Sequence, residues 1–107
     1  MTIRGIGVDI ADISRFRNGK DLASHILSPS ERKAYQQSLK PEEFLASRFA
    51  VKESYFKASQ KKVPYPDIEV RKKKSGEPVL YVRGKRIKAF LSISHDKEAI
   101  AVVVLYR

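Results

Sequence analysis

Positive side chains gather around one carboxylate between residues 48 and 57. Arg48, Lys52 and Lys57 flank Glu53 there, and no other acidic residue lies in the segment. Glu53 and Lys57 are four residues apart, and on a helix this spacing gives an exposed ion pair that stabilises by about 0.2–0.5 kcal/mol. Arg48 and Lys52 have the same spacing but like charges, and a bound phosphate chain would compensate their repulsion. The segment therefore favours either a solvated helix face or a phosphate site that includes a carboxylate.

A second carboxylate, Asp9, lies at the end of an apolar run near the N-terminus. A carboxylate in that position is commonly solvated or hydrogen-bonded to a nearby turn. Alternatively it is a ligand for Mg²⁺, which prefers one or two carboxylates together with phosphate oxygens and water. A metal–pyrophosphate site needs carboxylates among its cations, whereas a surface that binds nucleic acid gains nothing from them.

His95 is the remaining candidate for chemistry and lies in a polar turn, residues 92–96. A histidine in such a turn commonly faces solvent or caps the chain. Because its unperturbed pKa is near neutrality, it is also suited to donate to a phosphate or to assist proton transfer. The neighbouring Ser94 is not a hydrolase nucleophile, because no Gly-x-Ser-x-Gly turn surrounds it and the only other histidine, His25, lies in an unrelated segment.

Two helices are indicated by the signals at their ends. Ser28, Pro29 and Glu31 have the pattern of an N-cap, a first helical position and the return partner of a capping box, which predicts a helix to about Gln37. A longer helix is expected over 41–58, because acidic residues at its start suit the positive end of the helix dipole and its apolar residues recur with mostly helical spacing. This longer helix would carry the whole cationic segment.

The rest of the pattern is mainly that of strands. Residues 3–10 form an apolar strand whose Gly5 and Gly7 indicate a bulge or a close approach of another backbone. Asp12 is placed to cap a short helix that ends at Gly19. Further strands are predicted at 67–71, 79–82, 91–94 and 99–106, and the valines of the last run suggest burial on both faces. Helices early and strands late indicate the α+β class.

The composition fits a single domain over 1–107, because 107 residues leave little room for a second. The absence of cysteine excludes disulfides and thiolate metal sites. With neither a secretory signal nor an apolar run long enough to span a bilayer, we expect a cytoplasmic protein without membrane partners. The net charge of +10 attracts polyanions, and by charge alone nucleic acid is favoured. The chain nevertheless has no P-loop and no helix-turn-helix signature.

Three segments combine these features in a specific order. Residues 6–10 read Ile-Gly-Val-Asp-Ile, residues 48–58 read Arg-Phe-Ala-Val-Lys-Glu-Ser-Tyr-Phe-Lys-Ala, and residues 92–95 read Ser-Ile-Ser-His. Together they resemble the motifs of the holo-acyl-carrier-protein synthases, a family of 4'-phosphopantetheinyl transferases. With shorter similarities at 26–31, 67–70 and 76–78, the resemblance covers nearly the whole chain.

The resemblance implies an architecture and an assembly. Family members have an antiparallel sheet packed on a long helix, and they typically form trimers with active sites between neighbouring subunits. A trimer would enlarge the core of a chain that, at this size, buries only about two-thirds of its unfolded surface. We therefore expect a homotrimer with active sites at the subunit interfaces.

The resemblance also implies a reaction: the phosphopantetheine arm of coenzyme A is transferred to a serine of apo acyl carrier protein in fatty acid biosynthesis. Asp9 and Glu53 would hold the Mg²⁺ that bridges the pyrophosphate of coenzyme A. Lys57, the third predicted catalytic residue, would contact the phosphates and stabilise charge as the bond breaks. The products would be holo-acyl carrier protein and 3',5'-ADP. A carboxylate of the site or a metal-bound water would accept the serine proton.

Binding roles follow in the same way. Arg48, Lys52 and His95, with Lys57, would bind coenzyme A, the first three at its nucleotide end. Arg15 stands where the family has an arginine that recognises the carrier, and Arg17 is placed to join it. The positive charge of the chain would steer both partners, because acyl carrier proteins are acidic and coenzyme A is an anion.

Two segments depart from the family pattern. Relatives usually have a Gly-Thr-Gly turn after the signature helix, whereas residues 59–66 contain no glycine here but include Lys61 and Lys62, which could replace backbone amides as phosphate donors. Glu77 stands where relatives usually have lysine. Two other interpretations are a basic nucleic-acid-binding module and a degenerate relative that binds the carrier without modifying it.

Overall fold

The computed structural model describes residues 1–107 and has the α+β fold that the element order predicts. Its elements are β1 (Ile3–Asp12), a 3₁₀ turn (Ile13–Phe16), α1 (Lys20–Ile26), α2 (Pro29–Gln37), α3 (Pro41–Ser59), a second 3₁₀ turn (Tyr65–Asp67), β2 (Ile68–Lys72), β3 (Pro78–Val82), β4 (Lys85–Arg86), β5 (Ala89–His95) and β6 (Glu98–Tyr106). Two antiparallel sheets have the strand orders β1-β6-β5 and β2-β3-β4. None of the helices combines the length and apolar character that a bilayer crossing requires.

The long helix α3 is the centre of the core and packs against β1 and β6. Pro41 occupies one of its first helical positions, and the helix ends where Gln60 adopts the left-handed conformation with φ 59°. Buried side chains lie all around it rather than in one stripe, which is typical of a helix enclosed by other elements. Those buried are Leu45, Ala46, Ser47, Ala50, Val51, Lys52, Ser54, Tyr55, Phe56 and Ala58. The helix expected over 41–58 is confirmed and extends one residue further.

Two glycines allow α3 to lie directly on the backbone of β1. A Cβ at Gly5 would stand 2.0 Å from the carbonyl oxygen of Ala58, and a Cβ at Gly7 would stand 2.0 Å from that of Ser54. No side chain fits in either space, so only glycine permits this approach. The predicted close approach of another backbone is thus confirmed, and it fixes β1 against the C-terminal half of α3.

The sheet β1-β6-β5 has one covered face and one open face. Alternate residues of β6, from Ala99 to Leu105, are buried, whereas the residues between them are exposed or half-buried. The open face is apolar: Ile6, Ile10 and Phe90 expose 66%, 56% and 53% of their surface. The expectation that β6 is buried on both faces is therefore wrong for the single chain, because only one face of this sheet packs on α3.

The helix signals are accurate at α2 and incomplete before it. Ser28 and Glu31 form the predicted capping box, and α2 ends at Gln37 as expected. Asp12 caps the 3₁₀ turn through a hydrogen bond from the backbone N–H of Ser14, at 3.0 Å. The turn ends at Phe16 with Arg17 as its C-cap, so the prediction that Gly19 ends it is wrong. Gly19 is instead the N-cap of α1. Neither α1 nor the two-residue strand β4 is indicated by the sequence pattern.

Candidate active site

The packing of β1 on α3 brings together two charged side chains that are distant in the sequence. Lys57 Nζ lies 3.2 Å from Asp9 Oδ1 and donates to the carbonyl oxygen of Val8 at 2.9 Å. The Asp9 side chain is only 16% exposed, whereas that of Lys57 is 57% exposed. Lys57 therefore pairs with the carboxylate of β1, and the exposed ion pair with Glu53 on its own helix is not formed.

Glu53 lies one turn before Lys57 on α3 and is half-buried. The hydroxyl of Tyr65, at the start of the second 3₁₀ turn, lies 3.3 Å from Glu53 Oε2. Burial raises the pKa of Tyr65, and the negative charges of Glu53 and Asp9 raise it further. Since Lys57 contacts Asp9 and Glu53 lies one helical turn before Lys57, the two carboxylates flank the same turn of α3. Sequence analysis missed Tyr65, since no motif marks it, although an aromatic residue between two prolines is an unusual loop feature.

The pair of carboxylates is compatible with Mg²⁺ bound together with a pyrophosphate. The structure has no group of three or more His, Cys, Asp or Glu side chains that could hold a metal ion without other ligands. Mg²⁺ does not need such a group, because it commonly takes one or two carboxylates and completes its shell with phosphate oxygens and water. Asp9 and Glu53 supply that number of carboxylates, and Lys57 adds a cation for phosphate oxygens.

A cleft of about 470 Å³ beside the N-terminal half of α3 brings together two predicted nucleotide-binding residues, Arg48 and His95. Lys40 and Lys72 also line it, so the cleft is basic. His95 Nδ1 lies 3.0 Å from Glu43 Oε1 in the first turn of α3, which leaves its other ring nitrogen available. Arg48 lies five residues before Glu53 on α3, or about 7.5 Å along the helix axis.

Arg48 lines this cleft, and its Nε is buried without a hydrogen-bond partner. That nitrogen lies 3.9 Å from Glu31 Oε2, while the guanidinium covers the ring of Phe44 at 4.3 Å. Burial lowers the pKa of Arg48, and the charge of Glu31 opposes this effect. A buried donor left unpaired is costly, and the nearby Glu31 carboxylate compensates the charge of Arg48.

Lys52 requires a correction, because its ammonium does not reach this cleft. The side chain is fully buried, donates to the carbonyl oxygen of Ile26 and lies 2.7 Å from Glu31 Oε1. Glu31 also accepts hydrogen bonds from the backbone N–H groups of Ser28 and Val70, at 3.0 and 2.9 Å. Burial lowers the pKa of Lys52, and the charge of Glu31 opposes this. Lys52 therefore joins α3 to α1 and α2, and through Glu31 to β2. The expected contact with the nucleotide does not fit this geometry.

The two arginines predicted to recognise the carrier lie at the far end of β1. Arg15 and Arg17 are both exposed at the 3₁₀ turn. Arg17 borders a shallow cleft that also contains Glu42 and Asp96. The structure thus places both residues on the surface, where a partner protein could reach them, and outside the group formed by the carboxylates and Lys57.

The glycine-free loop begins directly after α3. Gln60 supplies the left-handed residue there, and its side-chain amide donates to the carbonyl oxygen of Lys57 at 2.8 Å. Lys61 and Lys62 follow and are exposed. Glutamine thus takes the helix-ending conformation that glycine adopts most easily, and the loop returns to the site at Tyr65.

The chain is similar to solved structures over nearly its whole length. The holo-[acyl-carrier-protein] synthase of Bacillus anthracis, solved in complex with CoA (3',5'-ADP), matches with a TM-score of 0.83 at 37% identity, covering 98% of this chain and 97% of that one. The Thermotoga maritima holo-[acyl-carrier-protein] synthase matches with a TM-score of 0.85 at 34% identity, covering 98% of this chain and 64% of that one.

Sequence comparison gives a shorter match and a broader family. The holo-[acyl-carrier-protein] synthase of Yersinia pestis is 50% identical over 46 residues, which cover 38% of this chain and 36% of that relative. The chain thus matches little more than a third of the length of this curated relative. The family model of the 4'-phosphopantetheinyl transferase superfamily matches residues 5–104, from β1 to β6. Because that match spans almost the entire fold, the chain belongs to the 4'-phosphopantetheinyl transferase superfamily.

Proposed function

We propose that this protein transfers 4'-phosphopantetheine from coenzyme A to a serine of apo acyl carrier protein, giving holo-acyl carrier protein and 3',5'-ADP. The observation that carries the proposal is the approach of Lys57 to Asp9, 3.2 Å between Nζ and Oδ1, one helical turn after Glu53 on α3. Family membership supports the reaction type, and similar proteins are named holo-[acyl-carrier-protein] synthases. The carrier of fatty acid biosynthesis is the substrate we expect.

In this reaction the serine oxygen forms a bond to the β-phosphorus, the bond from that phosphorus to the bridging oxygen breaks, and 3',5'-ADP leaves with the electron pair. The serine proton passes to a carboxylate of the site or to water. Asp9 and Glu53 would hold Mg²⁺, which supplies charge neutralisation at the pyrophosphate. Lys57 binds phosphate oxygens from its exposed position and stabilises the charge that develops on them.

The basic cleft is the proposed site for the nucleotide end of coenzyme A. Arg48 and His95 both line it, and the positive charge of Arg48 would attract a phosphate. A guanidinium suits this task because it always carries a charge and presents its donors in a fixed plane. The cleft would therefore fix the nucleotide while the carboxylates act on the pyrophosphate.

The carrier is proposed to dock near the exposed Arg15 and Arg17. An acidic partner would be attracted by a chain of net charge +10, and such steering raises the association rate more than the final affinity. Substitution of Arg15 by glutamate should therefore raise the KM for the carrier and leave the KM for coenzyme A unchanged. Equal effects on both substrates would contradict a docking role.

We further propose that the protein assembles as a homotrimer through the open face of the sheet β1-β6-β5, with active sites between subunits. Ile6, Ile10 and Ile100 contribute to this face, and the three expose 66%, 56% and 39% of their surface. Contiguous exposed apolar surface of this kind marks an interface more often than a solvated face. The number three comes from the family resemblance, whereas the apolar face supports self-association.

Light scattering coupled to gel filtration tests this assembly. The wild-type protein should elute with the mass of three chains, and Ile100→Lys should shift it to one chain. Leu39→Lys is the matched control, because Leu39 is 99% exposed and lies outside the sheet. A monomeric wild-type protein, or equal effects of both substitutions, would contradict the proposal.

The activity is tested by incubating the protein with apo acyl carrier protein, coenzyme A and Mg²⁺ and weighing the intact carrier by mass spectrometry. The carrier should gain one phosphopantetheine, and Glu53→Ala and omission of Mg²⁺ should each abolish the gain. The same carrier must be modified by an established synthase in a parallel reaction. If only that control reacts, the protein is a degenerate carrier binder, or a nucleic-acid-binding protein if salt-sensitive RNA binding is found.

A further inference from the structure

Tyr65 is held in place by aromatic packing against α3. Its ring centroid lies 5.7 Å from that of Phe49 and 5.4 Å from that of Phe56. These two phenylalanines stand four residues before and three residues after Glu53, so the tyrosine covers the helix turn that carries this carboxylate. Tilted aromatic pairs at such distances stabilise one ring orientation. The hydroxyl is therefore directed to Glu53 by contacts that do not involve the hydroxyl itself.

The backbone on both sides of Tyr65 is also restrained. Pro64 and Pro66 flank it, and each proline fixes its own φ angle. The carbonyl oxygen of Pro64 accepts a hydrogen bond from the backbone N–H of Asp67 at 2.9 Å, which closes the 3₁₀ turn. A loop without glycine thus delivers a rigid aromatic residue to the site, which gives this departure from the family pattern a structural consequence.

We propose that Tyr65 is a positioning residue for the metal-binding carboxylate: its hydroxyl donates to Glu53 Oε2, at 3.3 Å, and leaves the second carboxylate oxygen free to bind a divalent cation. The inference rests on the proposed metal-binding role of Glu53. Glutamate has three rotatable side-chain bonds, so fixing one oxygen reduces the freedom that metal binding must otherwise remove. Partners of this kind, which orient a metal ligand without touching the metal, commonly contribute about 10- to 100-fold to metal affinity or activity.

Tyr65→Phe removes only the hydroxyl and keeps the aromatic packing. Tyr55→Phe is the matched control, because Tyr55 is also on the inner side of the fold at 9% exposure and its hydroxyl makes no hydrogen bond in the structure. Mn²⁺ is titrated into each full-length protein, with and without coenzyme A, and the free ion is measured by electron paramagnetic resonance. The Mn²⁺ dissociation constant should rise about tenfold in Tyr65→Phe and stay unchanged in Tyr55→Phe.

A kinetic measurement separates positioning from a general structural effect. In Tyr65→Phe the Mg²⁺ concentration for half-maximal transfer should rise by about the same tenfold factor, and saturating Mg²⁺ should restore kcat. If the hydroxyl has only a structural role, Tyr65→Phe lowers kcat at every Mg²⁺ concentration and leaves the Mg²⁺ concentration for half-maximal transfer unchanged. That result would overturn the inference.

The outcomes distinguish the inference from the proposed function. If the wild-type protein transfers phosphopantetheine and Tyr65→Phe binds Mn²⁺ as tightly as the wild type, the inference is overturned and the function stands. If the wild-type protein shows no transfer but its Mn²⁺ affinity depends on the Tyr65 hydroxyl, the inference stands and the function does not. A wild-type protein that binds no Mn²⁺ under either condition overturns the inference.

Discussion

Two clusters of acidic and cationic side chains each include a lysine of α3, one in the core and one at the surface. In the first, Lys52 and Glu31 are 0% and 3% exposed and 2.7 Å apart. In the second, Lys57 and Asp9 are 57% and 16% exposed and 3.2 Å apart. The two lysines are five residues apart on the same helix and are both part of the family signature. One joins secondary-structure elements inside the core, whereas the other faces the surface beside a second carboxylate.

Burial and hydrogen-bond saturation distinguish the two lysines, whereas their residue type and their place in the family signature do not. The core cluster is saturated by protein groups, since Glu31 accepts from Ser28, Val70 and Lys52. A ligand would have to break those bonds before it could bind. The surface cluster keeps one cation and two carboxylates within reach of solvent, so it can exchange its present contacts for phosphate oxygens and a metal ion.

Replacing Lys52 gives the largest expected change. Lys52→Met keeps an apolar chain of similar length but leaves Glu31 buried without its charge partner, and we expect a loss of about 3–5 kcal/mol in the free energy of unfolding. Urea denaturation at a fixed protein concentration measures this. Adding Glu31→Gln to the same chain should recover part of the loss, because the neutral amide needs no counter-charge. A loss below about 1 kcal/mol would place this pair with ordinary surface ion pairs.

Replacing Lys57 should have the opposite effect: a large loss of transfer rate and a small loss of stability. Lys57→Ala removes a donor for developing phosphate charge, so the transfer rate should fall by about 100- to 1000-fold. The stability should change by less than about 1 kcal/mol, because the lysine is largely exposed. Intact-carrier mass spectrometry follows the rate and urea denaturation follows the stability. Lys85→Ala on β4 is the charge-matched control and should retain full activity.

Separating β1 from α3 should disturb the surface cluster alone. Gly7→Ala places a Cβ 2.0 Å from the carbonyl oxygen of Ser54, so the strand must shift, at a cost of about 1–3 kcal/mol. The shift moves Asp9 away from α3, and activity measured well below the melting temperature should fall with stability. Gly84→Ala strains a turn at φ 80° with no neighbour within 4 Å of the new Cβ, and it should lower stability without lowering activity.

Acid should weaken the core cluster through its neighbour Glu69. Burial of Glu69 acts to raise its pKa, but hydrogen bonds from Ser28, Ser30 and Arg71 outweigh it and lower the pKa from 4.5 to about 2. A lowered folded-state pKa stabilises the protein above the unfolded value, and this contribution disappears as the pH falls from 4.5 toward about 2. The melting temperatures of Glu69→Gln and wild type should therefore differ at pH 6 and converge near pH 2; a constant difference would contradict this.

Local signals were sufficient for much of the fold. The capping box at Ser28 predicted where α2 begins, and the expected end at Gln37 was also correct. The acidic start and the apolar spacing of α3 predicted its extent. Local signals failed where structure depends on tertiary packing. The seven residues of α1 have no strong periodicity, and the alternation of burial along β6 follows from α3 covering one face of the sheet only.

The candidate site was predicted less evenly. Asp9, Glu53 and Lys57 were predicted through their order along the chain, but spacing alone could not join residues of β1 to residues of α3. Lys52 was assigned to the nucleotide end of coenzyme A because the sequence alone does not show whether a lysine in a cationic segment is buried. Tyr65 was missed because its contact with Glu53 depends on the path of the loop.

The contact made by Gly7 and Gly5 with α3 also determines how the protein should respond to heat. Main-chain atoms, rather than mobile side chains, join the strand that carries one carboxylate to the helix that carries the other. There is no flexible joint between the two halves of the site that could loosen first. We expect catalytic competence and tertiary structure to disappear in one cooperative transition, so that inactivation and melting curves coincide.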